Sequence, residues 1–245
     1  MNLLEVQGLR KTYPAFRLED VSFSVPEGAV MGLIGRNGAG KSTTLKSILG
    51  LVHPDAGRVE MFGREFSENE RYIKENIGVV LGGIDFYPKK KVRTITDVPR
   101  RFYSNWQEEK YRHYLDLFAI DENKRVDQLS SGMRVKYLLA LALSHNARLL
   151  ILDEPTSGLD PVSRDELTEL LRRIAADGTR SVLFSTHITS DLEKCASHIT
   201  FIQEGRLQRS DTLAGFMAHY ADLGSTLEEI IVAAERRPYD ADAII

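Results

Sequence analysis

The sequence predicts an α/β fold with a core of buried strands, an antiparallel β region and an inserted helical region. Residues 149–152 and 181–185 are short apolar runs with the length and composition of buried strands. A third run, residues 29–34, leads through a glycine-rich stretch at 35–42 into an amphipathic helix predicted over residues 43–49. Strands alternating with helices in this way are typical of a sheet that has helices packed on its faces.

The glycine-rich stretch matches the phosphate-binding pattern G-x-x-x-x-G-K-[ST] at every fixed position. Its glycines let successive backbone N–H groups point at one anion, and the helix N-terminus that follows adds positive charge there. We expect Lys41 to reach the β- and γ-phosphates of a nucleotide and the Ser42 hydroxyl to ligate Mg²⁺. The residues predicted to bind nucleotide here are Gly35, Arg36, Asn37, Gly38, Ala39, Gly40, Lys41, Ser42 and Thr43.

Two acids, Asp153 and Glu154, follow the buried run at 149–152. Ligands of open α/β sheets lie at the C-terminal ends of the strands, where buried acids are costly unless they meet a cation or move protons. We predict that Asp153 contributes to the Mg²⁺ shell and that Glu154 polarises an attacking water. His187, just beyond the run at 181–185, is predicted to bond the γ-phosphate or that water.

Residues 2–7, 18–25 and 58–62 have β-rich patterns, and we expect an antiparallel patch beside the phosphate loop. Tyr13 ends the first of these segments. Its ring could stack on a nucleobase or pack on the sheet edge, and the residue alone leaves both interpretations open.

Residues 94–119 and 131–145 have helical periodicity and predict a small helical unit. Between them, Ser130, Ser131 and Gly132 open the second segment, where they could bind an anion or simply cap the helix. Asp160 could likewise cap the helix that begins after it. Residues 89–101 carry six basic side chains against one acidic side chain, which predicts either a solvated loop or a face apposed to anionic lipid or a membrane partner.

Composition narrows the function classes. Of the 245 residues, 42% are hydrophobic, and the formal net charge of −3 argues against general nucleic-acid affinity. Cys195 is the only cysteine, so an intrachain disulfide is excluded. No apolar run approaches the roughly 18 residues of a membrane-spanning helix, which indicates a soluble, cytoplasmic chain.

Together these motifs resemble those of the ATP-binding subunits of ABC transporters, over essentially the whole chain. Residues 35–42 match the Walker A motif, 149–154 the Walker B motif with its catalytic glutamate, and 157–160 the D-loop, which contains Asp160. His187 matches the switch histidine and Tyr13 the adenine-stacking aromatic. Leu-Ser-Ser-Gly-Met at 129–133 stands where the family has Leu-Ser-Gly-Gly-Gln, a variant similar to that of stand-alone ATPases of ABC-2-type exporters.

The resemblance implies a P-loop NTPase core with an antiparallel β subdomain and an inserted α-helical subdomain. It divides the chain into a catalytic core at 1–83 and 147–210, a helical subdomain at 84–146 and a short helical tail at 211–245. It also implies ATP and Mg²⁺ as cofactors. ATP hydrolysis would then power a separate membrane-spanning permease of an exporter, with the chain peripheral at the cytoplasmic face of the membrane.

In the family, two subunits sandwich two ATP molecules, so the resemblance assigns Ser130, Ser131 and Gly132 to the site of a second ATP-binding subunit. The alternatives are a soluble ABC ATPase acting on nucleic acid or ribosomes and an unrelated P-loop kinase or GTPase. The single cassette and the acidic net charge argue against the first. The signature stretch, which is Leu-Ser-Ser-Gly-Met at 129–133, and His187 argue against the second alternative.

One departure concerns a glutamine that the family places after the strand predicted at 77–81, where this chain has Gly82 and Gly83. The resemblance gives that glutamine a contact with Mg²⁺ and a part in coupling to the membrane subunit. Asp85 is nearby and could substitute for it, but we favour the interpretation that it does not. We therefore expect altered coupling or metal binding.

Overall fold

The structure, a computed structural model, describes residues 1–81 and 87–236 of the chain. Gly82, Gly83 and Asp85, and with them the predicted departure from the family, lie outside the described residues. The strands are β1 (Asn2–Tyr13), β2 (Phe16–Pro26), β3 (Val30–Ile34), β4 (Ala56–Met61), β5 (Arg64–Glu65), β6 (Ile77–Val80), β7 (Leu149–Asp153), β8 (Ser181–Thr186), β9 (His198–Gln203) and β10 (Arg206–Thr212). The helices are α1 (Lys41–Ile48), α2 (Phe66–Asn76), α3 (Val92–Phe102), α4 (Glu108–Leu117), α5 (Ser131–Ser144), α6 (Pro161–Ala175), α7 (Thr189–Cys195), α8 (Leu213–His219) and α9 (Leu227–Glu235), with a 3₁₀ turn at Val126–Gln128.

One sheet contains the ten strands of this described part, in the order β5-β4-β1-β2-β10-β9-β3-β8-β7-β6. Strands β9, β3, β8, β7 and β6 form its parallel half. Helices cover both faces of a parallel sheet, which explains why β3, β7 and β8 are apolar runs buried along their whole length. Because these strands are parallel, their C-terminal ends meet at one edge, and the register sets Ile34 beside Thr186 and Asp153 beside Ser185.

The antiparallel patch predicted beside the phosphate loop is confirmed. Strand β1 pairs antiparallel with β2 on one side and with β4 on the other. It continues beyond the predicted segment at 2–7 as far as Tyr13. The patch joins the rest of the sheet through β2 and β10, which share a single parallel pair between Glu19 and Arg206.

The periodic segment at 94–119 forms two helices, α3 and α4, rather than one. The break follows from contacts with the end of α5. The ring of Tyr103 stacks on that of His145 with centroids 3.7 Å apart, and the Gln107 N–H donates to the Ser144 carbonyl at 2.8 Å. Both contacts draw the chain away from the helical path after Phe102. Helices α3, α4 and α5 enclose a hydrophobic cluster of their own, in which Tyr111 is fully buried.

Helix α5 also packs closely on strand β6. A Cβ atom added at Gly78 would lie 2.4 Å from the Ala142 Cβ and 2.5 Å from the Leu150 Cδ2, distances that side chains do not tolerate. Glycine is therefore required where α5 crosses the strand. Within the expected helical tail at 211–245, the described residues form two helices, α8 and α9. Within residues 1–81 and 87–236, no helix combines the length and the apolar composition needed to span a bilayer.

Candidate nucleotide-hydrolysis site

The phosphate-binding loop connects β3 to α1 at the C-terminal edge of the parallel strands. Gly40 precedes α1 with φ of 113°, a conformation that glycine adopts far more readily than other residues. The Phe16 ring packs closely against Gly40. A Cβ atom added at Gly40 would lie 2.9 Å from the Phe16 Cζ. The Ala39 N–H donates to the Arg36 carbonyl at 3.1 Å and closes the turn. The loop thus has the bend that its glycines predict.

Lys41 is the first residue of α1, and its side chain is only 4% exposed. The Nζ atom donates to the Gly35 carbonyl at 2.7 Å and to the Arg36 carbonyl at 3.2 Å. It also lies 3.5 Å from Glu154 Oε1. A buried ammonium needs such acceptors, and here they hold it against the loop that is predicted to bind phosphate.

Asp153 and Glu154 are held together by Ser185, which sequence reasoning missed. The Ser185 hydroxyl donates to Asp153 Oδ1 at 2.6 Å and accepts from the Glu154 N–H at 2.9 Å. Ser42 donates to the same Asp153 oxygen at 3.2 Å. The sequence feature that could have indicated this role is a serine at the end of an apolar run. In the structure, Ser185 occupies the register position directly beside Asp153.

Glu154 places its carboxylate between Lys41 and His187. Its φ of 48° lies in the left-handed region, which for a residue with a side chain costs about 1–2 kcal/mol. Its Oε2 atom lies 3.3 Å from His187 Nδ1 at the end of β8. The structure therefore brings together the predicted base, the predicted phosphate-binding lysine and the predicted histidine.

The donors around Asp153 fit Mg²⁺ chemically. Ser42 and Asp153 offer a hydroxyl and a carboxylate oxygen that lie 3.2 Å apart. Mg²⁺ prefers hard oxygen ligands and is usually bound by one or two carboxylates together with water and substrate phosphates. These two side chains would hold the ion at the end of the phosphate loop.

A depression of about 430 Å³ lies over this loop. Its wall is formed by Phe16 and Ala15 together with loop residues and Glu154. Tyr13 is not part of this wall. The Tyr13 ring is 39% exposed at the end of β1, with Lys11 Nζ 5.8 Å from its centroid. Stacking of a nucleobase on Tyr13 stays a prediction, and Phe16 is an aromatic ring near the loop that sequence reasoning missed.

The signature serines and Asp160 lie outside this depression. Ser130 caps α5, and its hydroxyl accepts from the Met133 N–H at 3.2 Å. Ser131 and Gly132 form the first turn of that helix. Asp160 caps α6 by accepting from the Val162 and Ser163 N–H groups, at 3.0 Å each, and hydrogen bonds from Ser163 lower its pKa. The capping interpretation is confirmed for Ser130 and Asp160, and their contact with nucleotide stays a prediction.

Comparison with known proteins places the chain in a family. The sequence pattern of the ABC transporter family matches residues 18–157. The chain is 32% identical over 208 residues to the bacitracin transport ATP-binding protein BcrA of Bacillus licheniformis, a match that covers 84% of this chain and 68% of that protein. It is 39% identical over 191 residues to the Nod factor export ATP-binding protein I of Burkholderia orbicola, covering 76% of this chain and 62% of that protein.

A solved structure agrees with this assignment. The ATP-binding subunit of an ABC transporter matches with a TM-score of 0.84 and 28% identity, covering 96% of this chain and 100% of that one. The family pattern, the two relatives and the site geometry all indicate the same class of protein. We conclude that the chain belongs to the ABC transporter family and is an ATP-binding subunit with the ATPase site of that family.

Proposed function

We propose that this chain hydrolyses ATP at the junction of β3, β7 and β8 and thereby powers a separate membrane-spanning exporter subunit. The observation that carries the proposal is the arrangement of Glu154 between Lys41 and His187, beside Asp153. The relatives named for bacitracin transport and Nod factor export support the exporter assignment.

In the proposed mechanism, the loop amides and Lys41 bind the β- and γ-phosphates and stabilise charge that develops during transfer. Ser42 and Asp153 would hold Mg²⁺, and the bound ion would neutralise phosphate charge. Glu154 accepts a proton from the attacking water or orients it, and His187 holds the Glu154 carboxylate and contacts the γ-phosphate. Ser185 keeps both acids in place through its two hydrogen bonds.

We further propose that a second ATP-binding subunit completes each site. Ser130 lies at the N-terminus of the 14-residue helix α5, where unpaired N–H groups and the helix dipole favour an anion. Neither Ser130 nor Asp160 lies in the wall of the depression over the phosphate loop. A head-to-tail dimer would bring this helix end to the γ-phosphate bound by the partner, so that ATP joins the two subunits.

The variant Glu154→Gln tests this mechanism. It preserves the shape of the side chain and removes its basicity, so we expect hydrolysis to slow by roughly 10²–10⁴-fold while Mg²⁺–ATP still binds. Light scattering after gel filtration should then show a dimer with ATP and a monomer with ADP. Glu228→Gln, at an exposed position on α9, is the matched control and should retain activity. Unchanged turnover in Glu154→Gln would remove Glu154 from the proposed role.

The outer face of α3 is the surface that we propose for the membrane-spanning partner. Val98 and Phe102 are exposed there, and Phe102 is 64% exposed. Next to them lies an apolar depression of about 360 Å³, bordered by Lys90 and Leu141. The basic side chains of the stretch at 89–93, which are Lys89, Lys90, Lys91 and Arg93, are also exposed. Large exposed apolar side chains are favoured anchors of protein interfaces, and basic side chains suit a site close to anionic lipid.

Exposed positions allow this surface to be tested without unfolding the chain. Phe102→Ser, and separately the replacement of Lys89, Lys90 and Lys91 by serine, should reduce copurification with an integral membrane protein from solubilised membranes. Both should leave the ATPase activity of the isolated chain unchanged. Leu117→Ser, at a 60% exposed position on α4, is the control and should copurify normally. Recovery of RNA or ribosomes in place of a membrane protein would contradict the proposed function.

A further inference from the structure

A buried carboxylate at the end of α9 lies against the phosphate-binding loop. The Glu235 side chain is only 6% exposed. Its Oε1 atom accepts a hydrogen bond from the Arg36 N–H at 3.1 Å, and its Oε2 atom lies 3.7 Å from Arg36 Nε. The Arg36 guanidinium also donates to the Glu235 backbone carbonyl at 3.5 Å. Within residues 1–81 and 87–236, the hydrogen bond and the ion pair of this carboxylate are both with Arg36.

This position is unfavourable for an acid within its own helix. Glu235 is the last residue of α9, where the helix dipole presents partial negative charge. Burial removes water from the carboxylate and raises the pKa of Glu235, and the contact with Arg36 only partly offsets the increase. The stability of α9 therefore does not account for an acid here, whereas a hydrogen bond to the loop does.

The Gly35–Arg36 peptide unit is held on both of its sides. Its N–H, that of Arg36, donates to Glu235, while its carbonyl, that of Gly35, accepts from Lys41 Nζ at 2.7 Å. Glu235 and Lys41 thus hold the same peptide unit of the loop from opposite edges. Because the peptide unit is planar and rigid, a change in the first contact is transmitted to the second.

Helix α9 is anchored firmly enough to hold the loop. Leu227 and Ile230 are fully buried in a large hydrophobic cluster that also contains Phe201 and Phe216, and the Leu227 N–H donates to Glu193 Oε1 at 2.8 Å. Near the other end of the helix, Gln203 Nε2 donates to the Ala234 carbonyl at 3.1 Å. The last turn of α9 is therefore fixed relative to strand β9, which lies next to β3.

We propose that Glu235 is a positioning residue for nucleotide binding, which holds the Arg36 peptide so that the phosphate-binding loop is ordered before ATP arrives. An ordered loop loses less conformational freedom on binding and so binds more tightly. The proposal rests on the ATP site proposed above and adds the tail helix to it. The negative charge of Glu235 acts in the opposite direction because it repels phosphate, and an experiment must separate the two effects.

Two substitutions at equal net charge make that separation. Glu235→Gln removes the charge and keeps an oxygen that accepts from the Arg36 N–H, whereas Glu235→Ala removes both. We expect the Kd for Mg²⁺–ATP, measured by calorimetry, to be about tenfold higher for Glu235→Ala than for Glu235→Gln. KM should rise in parallel, and kcat at saturating ATP should stay within twofold of the unsubstituted chain, because Glu235 does not contact Glu154.

Two further variants distinguish the expected loss of ATP affinity from a general loss of folding. Glu228→Ala, on the exposed face of α9, should leave the ATP affinity unchanged. Gln203→Ala loosens the last turn of α9 without altering Glu235 and should weaken ATP binding in the same direction. Equal affinities for Glu235→Ala and Glu235→Gln would overturn the positioning role while leaving the ATPase proposal intact. A failure of the unsubstituted chain to bind ATP would instead contradict the ATPase proposal itself.

Discussion

Removal of the Ser185 hydroxyl should displace Asp153 and Glu154, an effect that the local sequence around Ser185 does not indicate. This hydroxyl is fully buried, donates to Asp153 at 2.6 Å and accepts from the Glu154 N–H at 2.9 Å. In Ser185→Ala both partners lose this contact, and the added methyl-sized gap is too small to admit water to both. Among the residues that the structure describes, Asp153 then keeps only its longer hydrogen bond, with Ser42 at 3.2 Å.

The magnitude follows from the two lost hydrogen bonds. A hydrogen bond to a charged group contributes about 1.5–3 kcal/mol, and a buried N–H group without a partner costs about 1–3 kcal/mol. Part of this loss is recovered by relaxation, so we expect the free energy of unfolding to fall by about 3 kcal/mol. Displacement of the Glu154 carboxylate by a fraction of an ångström should also lower kcat at least tenfold, which corresponds to about 1.4 kcal/mol in the activation free energy.

The assay compares Ser185→Ala with Ser181→Ala on the same strand. Ser181 is also fully buried, but its hydroxyl makes one neutral hydrogen bond, to the Pro26 carbonyl at 2.8 Å. Urea denaturation should therefore show a loss of about 1 kcal/mol for Ser181→Ala, and its turnover should be unchanged. Equal losses of stability in the two variants, or normal turnover in Ser185→Ala, would refute the assignment of Ser185 as the residue that organises the acids.

Three other outcomes are expected. Lys41→Ala should weaken nucleotide binding at least about tenfold by calorimetry, because it removes the ammonium beside the phosphate loop, and equal affinity would contradict the phosphate-binding assignment. Burial lowers the pKa of His145 from 6.5 to about 4, so the stability that depends on the neutral ring is complete above pH 6.5 and is lost as the pH falls toward 4. Denaturation titrations should show a loss of about 3 kcal/mol over that range that is missing from His145→Phe. Tyr137→Phe removes a buried hydroxyl that lies 2.8 Å from Thr96 Oγ1, and should cost about 1–2 kcal/mol of stability without changing ATP turnover.

The parts of the site that depend on neighbouring residues were predictable from the sequence. The loop at 35–42 has glycines where the backbone must bend, and Asp153 and Glu154 follow a run with the length and composition of a buried strand. Because parallel strands end at one edge of a sheet, the placement of Glu154 and His187 at the same edge also follows from the pattern. Their 3.3 Å contact depends on β7 and β8 being neighbours, which the pattern does not give.

The contacts missed by the sequence prediction join distant positions. Glu235 and Arg36 are 199 residues apart, and a glutamate at the end of an amphipathic helix gives no local indication of its partner. The break between α3 and α4 depends on the stacking of Tyr103 on His145, which periodicity cannot detect. Phe16 reaches the loop because β1 and β2 form a tight hairpin. The family resemblance favoured Tyr13, at the other side of that turn, and its stacking on a nucleobase stays a prediction.

The contact between Gly78 and Ala142 affects where the N-terminal end of helix α5 lies. Helix α5 has 14 residues and is therefore about 21 Å long, with Ser130 at one end and Ala142 near the other. Helix α5 is stiff and rests on Gly78 near its C-terminal end. A methyl group at position 78 would push that end away from strand β6, and the opposite end, which carries Ser130, would change position with it. The smallest side chain in strand β6 thereby influences the position of Ser130, which we propose to meet the nucleotide of a second subunit.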